Sequence, residues 1–354
     1  MASLNQLKFI KESLSDLVAE LKAQGITKID AAVIKKYEPK DQKAKQAKFI
    51  ATTMCAQDPE GDLNEIMEQV DEGYDQINDL VNFALNTEYN SRDIVGDDYS
   101  NSSEKYYGNA DCKGPFSFHG THVAGIIGAT RGNGTGMDGI ANNIRIMSVR
   151  CVPNGDERDK DVANSIRYAV DNGAKILNMS FGKKYSWDKK VVDDAVKYAE
   201  SKGVLLIHAA GNDGKSIDAM VHYPCKKFEN SKKEAKNFVD VGALSWKGDE
   251  KIAAPFSNYG KKTVDIFAPG VDIYSTAPEG KYKDASGTSM ASPVVAGVCA
   301  VLKSYFPELT PVQIKKIIIK SCVTQYKTKK VIKPAKTSAK SVKNSFAGRT
   351  AGVF

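Results

Sequence analysis

Between residues 144 and 244 short apolar runs alternate with segments of helical period, and few patterns restrict a fold more tightly. Ile144 to Val149, Lys175 to Met179 and Val204 to Ala210 read as buried strands, and Asp161 to Asn172 and Trp187 to Ser201 as the helices between them. Strands joined by helices of this length need right-handed crossovers, which build a mainly parallel sheet with helices on both faces. Phe238 to Leu244 and Val264 to Phe267 add strands, one helix opens near Ser289, and another runs from Pro311 towards Cys322. The expected class is α/β.

The flanks differ. In residues 1–88, Leu4, Leu7, Ile10, Leu14, Leu17 and Leu21 recur every three or four positions, and Leu63, Ile66, Val70, Ile77 and Leu80 form a second stripe that Gly73 interrupts. This region reads as a helical insertion or hairpin with no reaction centre. Residues 89–118, rich in Asn, Asp, Ser, Gly and Tyr, suit a long surface loop at the start of an α/β domain spanning 89–325. Residues 326–354 hold seven Lys and Arg349 with no acidic residue, so the chain's net charge of +7 has a local origin. The basic tail lacks interleaved aromatic platforms, so nucleic acid is not an expected partner, and a solvated Lys-rich segment is the plainer reading.

Composition narrows the class further. Hydrophobic residues at 42% and charged residues at 26% exclude a disordered or fibrous chain. No run approaches the roughly 18 apolar residues of a membrane span, and the first residues lack the apolar core of a secretory signal. The six Cys are scattered without metal-ligand spacing, which leaves isolated thiols and no disulfide scaffold.

Three short segments carry chemistry. His119-Gly120-Thr121-His122-Val123-Ala124-Gly125 puts a His at the start of a helical run of small residues. Ala209-Ala210-Gly211-Asn212-Asp213-Gly214 ends a buried strand in a turn bearing an amide. Gly287-Thr288-Ser289-Met290-Ala291-Ser292-Pro293 is a glycine turn leading into an apolar helix. A serine hydroxyl attacks only when a base such as His takes its proton. At a helix start the unpaired N–H groups and the dipole stabilise the negative charge that develops. An Asn at a strand's carboxyl end can aim its amide at the same spot, which is typically worth about 3 kcal/mol in the transition state. Alone, such a Ser is usually an N-cap.

These segments, in this order, resemble those of the subtilisin-like serine peptidases (subtilases), with the likeness covering roughly residues 93–323. The resemblance implies a serine endopeptidase with His119 as general base, Ser289 as nucleophile and Asn212 in the oxyanion hole. It implies that Ser180, Phe181 and Gly182, which follow Asn178-Met179, pair with the substrate backbone, and that Ala209, Ala210 and Gly211 wall the specificity pocket. His122 is expected to pack within its helix, His208 to line the core or a pocket wall, and His222 to lie at the surface.

The substrate would be a polypeptide, and neither a cofactor nor a catalytic metal is implied. Some subtilases bind calcium after the His helix, where this chain has Gly132-Asn133-Gly134-Thr135-Gly136-Met137-Asp138. That stretch offers one Asn and one Asp towards the six to eight oxygens calcium takes. Family habit implies a secreted or cell-envelope location, and the sequence is silent on oligomeric state.

One family element is absent. A subtilase triad runs Asp, His, Ser, with the Asp ending an apolar strand before a small-residue turn. Upstream of His119, Asp30 lies in a helical context, Asp97 and Asp98 in the polar loop, and Asp111 has no strand before it. A His, Asp, Ser order would require an antiparallel double barrel, which the strand–helix alternation excludes. The expectation is a chain truncated at both ends, with the helical region corresponding to an insertion between the Asp strand and the His segment. A non-catalytic peptide-binding relative is the alternative.

Overall fold

The computed structural model describes residues 2–56, 61–322, 330–335 and 343–345, and the chain divides into two compact units, Met1–Gly96 and Asp97–Phe354.

The first unit is helical: α1 (Ala2–Ala23), α2 (Ala31–Lys36), α3 (Gln42–Cys55), α4 (Leu63–Asp79) with a π-helical turn after it, and the short α5 (Arg92–Val95). The apolar stripes meet in one core, where Leu14, Leu17 and Leu21 pack with Ile34, Ala51, Cys55, Leu63 and Val70. Two caps set the turns. Asp30 accepts the amide of Val33 and Asp41 that of Ala44, at 3.0 and 2.7 Å. Asp30 is therefore a helix cap, in keeping with its helical context. Gly73 does not interrupt α4, which runs through it.

The second unit carries the expected α/β architecture. In chain order it comprises α6 (Phe118–Gly128), α7 (Asp159–Asp171), β1 (Ile176–Met179), α8 (Lys189–Ser201), β2 (Leu205–Ala209), β3 (Phe238–Leu244) and β4 (Ile266–Pro269). The hairpin β5 (Ile273–Ala277) and β6 (Lys281–Ala285) follows, then α9 (Thr288–Tyr305) and α10 (Pro311–Lys320). Strands β1 to β4 form a parallel sheet in that order. Because both faces are covered, alternate side chains along each strand enter different cores. Leu205 and Ile207 join Val239, Val241 and the α9 and α10 residues Ala291, Val295 and Ile314, whereas Leu206 and Phe238 meet Val162, Ile166, Ala195 and Val196 of α7 and α8.

One expected strand is not formed. Ile144 to Val149 is assigned to no ladder, and Ile146 and Met147 are exposed. An apolar run becomes a strand only when a neighbour receives its backbone groups, and among the described residues none does. Val264 to Phe267 is a strand displaced by two residues, to Ile266–Pro269. Residues 97–117 are irregular and tied down by Lys160, whose ammonium reaches Asp97 at 2.6 Å, the Asp98 carbonyl at 2.6 Å and Glu104 at 2.7 Å. Most of the Lys-rich segment lies outside the described residues; Lys330–Ile332 (β7) and Lys343–Ser345 (β8) pair antiparallel.

Below the carboxyl ends of β2 and β3 lies a buried array of charges. His208 Nδ1 is 2.8 Å from Asp240, Lys226 is 3.5 Å from Asp240 and 2.8 Å from Asp265, and Lys315 is 2.9 Å from Asp265. Burial alone would raise the pKa of Asp240, but the hydrogen bond from His208 and the charge of Lys226 outweigh it and hold the carboxyl below its ordinary range. A carboxyl whose folded pKa is depressed stabilises fully at neutral pH and loses that contribution as pH falls through the folded value.

Removing one member of a buried pair leaves the other uncompensated, which typically costs about 3–5 kcal/mol. Asp240→Asn should lower stability by that order in urea unfolding at pH 7, and the deficit should shrink in acid, where the wild-type carboxyl is protonated. An unchanged midpoint would contradict the role assigned to the array.

Candidate active site

The helix carrying His119 is clamped from one side. Ser275 Oγ donates to the His122 carbonyl and Thr276 Oγ1 to the Thr121 carbonyl, each at 2.8 Å. Gly125 permits this approach, since a Cβ there would stand 2.1 Å from Thr276 Oγ1. His122 is fully buried, with Nε2 donating to the Lys283 carbonyl at 2.9 Å. It packs inside the helix, as the sequence indicates. His119, one turn earlier, opens to solvent on one side. The protein atoms crowding its ring, and then His122, pull its pKa below the usual value, so the ring is neutral at pH 7.

Ser289 stands in the first turn of α9. Four residues on is Pro293, which has no N–H, so the carbonyl of Ser289 has no partner in its own helix. Ser180 Oγ takes that place, donating to the Ser289 carbonyl at 2.8 Å. Asn178 Nδ2 in turn donates to Ser180 Oγ at 2.9 Å, and Ser292 Oγ donates to Asn178 Oδ1 at 2.6 Å. This chain of hydrogen bonds fixes the end of β1 against the start of α9. The Ser289 hydroxyl itself donates to the Ser180 carbonyl at 3.1 Å.

Asn212 is held with its oxygen turned inward. Asn212 Oδ1 accepts from both the backbone amide and the hydroxyl of Thr288, each at 2.9 Å, and the Thr288 hydroxyl accepts from the amide of Gly211 at 3.1 Å. The first orphan N–H of α9 is thus satisfied by a side chain whose Nδ2 takes no hydrogen bond among the described residues. Nδ2 lies 3.5 Å and the Ser289 amide 3.6 Å from the position a Cβ on Gly287 would take, so both donors lie beside Gly287, two residues before Ser289. Such a paired-donor site suits a developing oxyanion.

The turn before Asn212 requires glycine. Gly211 has φ +95°, and a Cβ there would stand 2.5 Å from Asn258 Nδ2. Asn258 Nδ2 donates to the Ala210 carbonyl at 2.9 Å, and the Asn258 amide donates to the Gly211 carbonyl at 2.8 Å. Residues 180–182 continue beyond β1, with the Phe181 carbonyl accepting from His208 Nε2 at 3.0 Å. The start of α9 is thus tied to Ser180 through Ser289 and to Asn212 through Thr288.

Helices α6 and α9 meet through Val123, Ile126 and Met290, the residue after Ser289. Among the described residues no hydrogen bond joins His119 to Ser289, and no carboxylate bonds the His119 ring. Asp97 pairs with Lys160, and Asp111 with Arg150 at 2.9 Å. No strand precedes His119 among the described residues.

Two features went unseen in the sequence. His222 is not a surface residue. Its half-buried ring lies 5.5 Å from that of His208, against Gly182 and Gly211, because loop 221–225 folds back and bridges Lys183 to Tyr223. The role of Thr288 as the anchor of Asn212 also emerges only in three dimensions. In the loop of residues 132–138 the two side-chain oxygens that the sequence offered have partners within the protein. Asn133 Oδ1 and Asp138 Oδ1 already accept the amides of Thr135 and Gly132, and Arg131 lies 3.9 Å from Asp138.

The chain matches the Subtilase family over residues 70–346, well over half its length, and it belongs to that family. It is 44% identical to Thermophilic serine proteinase of Bacillus sp. (strain AK1) over 187 residues, which is 52% of this chain and 42% of the relative. It is 32% identical to Subtilisin DY of Bacillus licheniformis over 238 residues, 67% of this chain and 79% of the relative. The chain thus spans less than half of the first of these relatives. Among solved structures it resembles a cold adapted subtilisin-like serine proteinase, with a TM-score of 0.51 and 31% identity, over 67% of this chain and 76% of that one.

The anchoring of Asn212 is open to test. Thr288→Val removes the hydroxyl that Asn212 and Gly211 share; in nuclear magnetic resonance spectra the Asn212 side-chain amide signals should shift and broaden. Unmoved signals would show that the hydroxyl does not hold it.

Proposed function

We propose that the chain is a serine endopeptidase working through an acyl-enzyme on Ser289, a reading that family membership and the arrangement around Ser289 support. The observation that carries it is that Thr288, the residue before Ser289, anchors the Asn212 carboxamide by two hydrogen bonds at the start of α9, with Asn212 Nδ2 and the Ser289 amide both beside Gly287. An extended polypeptide lies along residues 178–182, with its preceding side chain between the backbones of 180–182 and 209–211. Ser289 leaves the Ser180 carbonyl and passes its proton to His119 as Oγ bonds to the scissile carbonyl carbon. The resulting oxyanion is received by Asn212 and the Ser289 amide. His119 then protonates the leaving amine, and water hydrolyses the ester by the same route in reverse.

Without a carboxylate on His119 the imidazole is neither oriented nor stabilised as a cation, which in such triads lowers turnover by about 10⁴-fold. The Ser289 hydroxyl bonded to Ser180, together with a His119 that bonds no carboxylate, favours a second reading, a peptide-binding relative that turns over slowly or not at all. Exported and cell-envelope settings suit both readings.

A fluorophosphonate probe should label the wild-type chain and not Ser289→Ala; labelling of both would remove Ser289 from its role. Asn212→Leu should slow labelling or peptide cleavage by about 10²–10³-fold. Because the His119 pKa is lowered, the rate should stay level from pH 8 to below the ordinary histidine value and fall only as pH drops through the depressed one. A fall centred above pH 6.5 would contradict that environment.

A further inference from the structure

We infer that His222 sets which side chain the cleft accepts before the scissile bond, favouring a carboxamide such as Gln and rejecting large apolar residues such as Phe; this rests on the peptidase reading above. The His222 ring is wedged between the two backbones assigned to substrate. A Cβ on Gly182 would stand 2.3 Å from His222 Nε2, and one on Gly211 would stand 2.9 Å from His222 Cε1. The imidazole therefore fills space that a deep apolar pocket would need. Loop 221–225 cannot easily carry it away, because Lys183 and Tyr223 exchange backbone hydrogen bonds at 2.9 and 2.8 Å.

The ring is also chemically free. Among the described residues no hydrogen bond reaches either nitrogen of this half-buried ring, and neither is a sealed orphan atom, so both can meet a ligand. The groups that face it fix its charge state. Behind it His208 lies between Asp240, 2.8 Å from Nδ1, and the Phe181 carbonyl, 3.0 Å from Nε2. At the rim Lys184 and Asp213 pair at 3.3 Å. Burial first, then the neighbouring His208 and Lys184 outweighing the carboxylates of Asp240 and Asp213, lower the His222 pKa to about 4. At neutral pH the ring is an uncharged imidazole with one N–H donor and one bare nitrogen acceptor. A carboxamide offers the complementary C=O and N–H; Phe or Leu offers neither, and desolvates the ring without return.

The test uses the full chain as Ser289→Ala, so that turnover plays no part, and fluorescein-labelled tetrapeptides ending in Gln or Phe, read by fluorescence anisotropy at pH 7.5. The Gln peptide should bind at least tenfold more tightly than the Phe peptide. His222→Gly, which empties the floor, should reverse the order. His222→Leu keeps the bulk without the nitrogens, so Gln should lose its advantage while Phe stays poorly bound. Equal binding of the two peptides, or a ratio unchanged in both variants, overturns the inference and leaves the peptidase reading standing where the fluorophosphonate still labels Ser289. Binding of neither peptide, with no labelling of the unmutated chain, overturns both.

Discussion

The carbonyl of Ser289 has no helical partner because Pro293 brings no N–H, and the hydroxyl of Ser180 fills that gap. Much of the site's order follows from this one bond. It fastens the end of β1 to the first turn of α9, and Asn178 and Ser292 extend the fastening into the sheet. On the other side Thr288 does the equivalent for the turn after β2, through Gly211 and Asn212. Two strands that end side by side in a parallel sheet are thereby pinned to one helix start. There the Thr288 amide is taken up by the anchored carboxamide of Asn212.

The buried charge array gives the same region stiffness from below. His208 joins the Phe181 carbonyl to Asp240, and Asp240 is linked through Lys226 to Asp265 and so to Lys315 on α10. The segment after β1 is therefore held by polar contacts from both its neighbours, β2 beneath and α9 beside it. Apolar packing alone would fix the strands but not the carbonyls beyond their ends, because a carbonyl needs a donor in place.

What the sequence discloses follows from which forces are local. Helices α7 and α8 and strands β2 and β3 are readable to within two residues or so, since two covered faces make the strands continuous apolar runs and the helices strongly amphipathic. The hairpin of β5 and β6 escapes notice because its second strand, Lys-Tyr-Lys-Asp-Ala, is largely exposed. Ile144 to Val149 misleads in the opposite way: its side chains are those of a strand, but a ladder is a property of two segments. His119, Ser289 and Asn212 stand out through the small residues that crowd them. His222 does not, because its burial arises from Gly182 and Gly211, residues far from it in sequence.

The four-stranded sheet has a graded interior, and this shapes how the molecule breathes. β2 and β3 each have a strand on both sides, whereas among the described residues β1 and β4 each have one, and Ile144 to Val149 contributes no rung. Amide protons of β3 can exchange with deuterated solvent only through large openings, while those of residues 144–149 need little more than local solvation. Deuterium uptake should therefore be fast in residues 144–149 and reach Leu205–Ala209 and Phe238–Leu244 last.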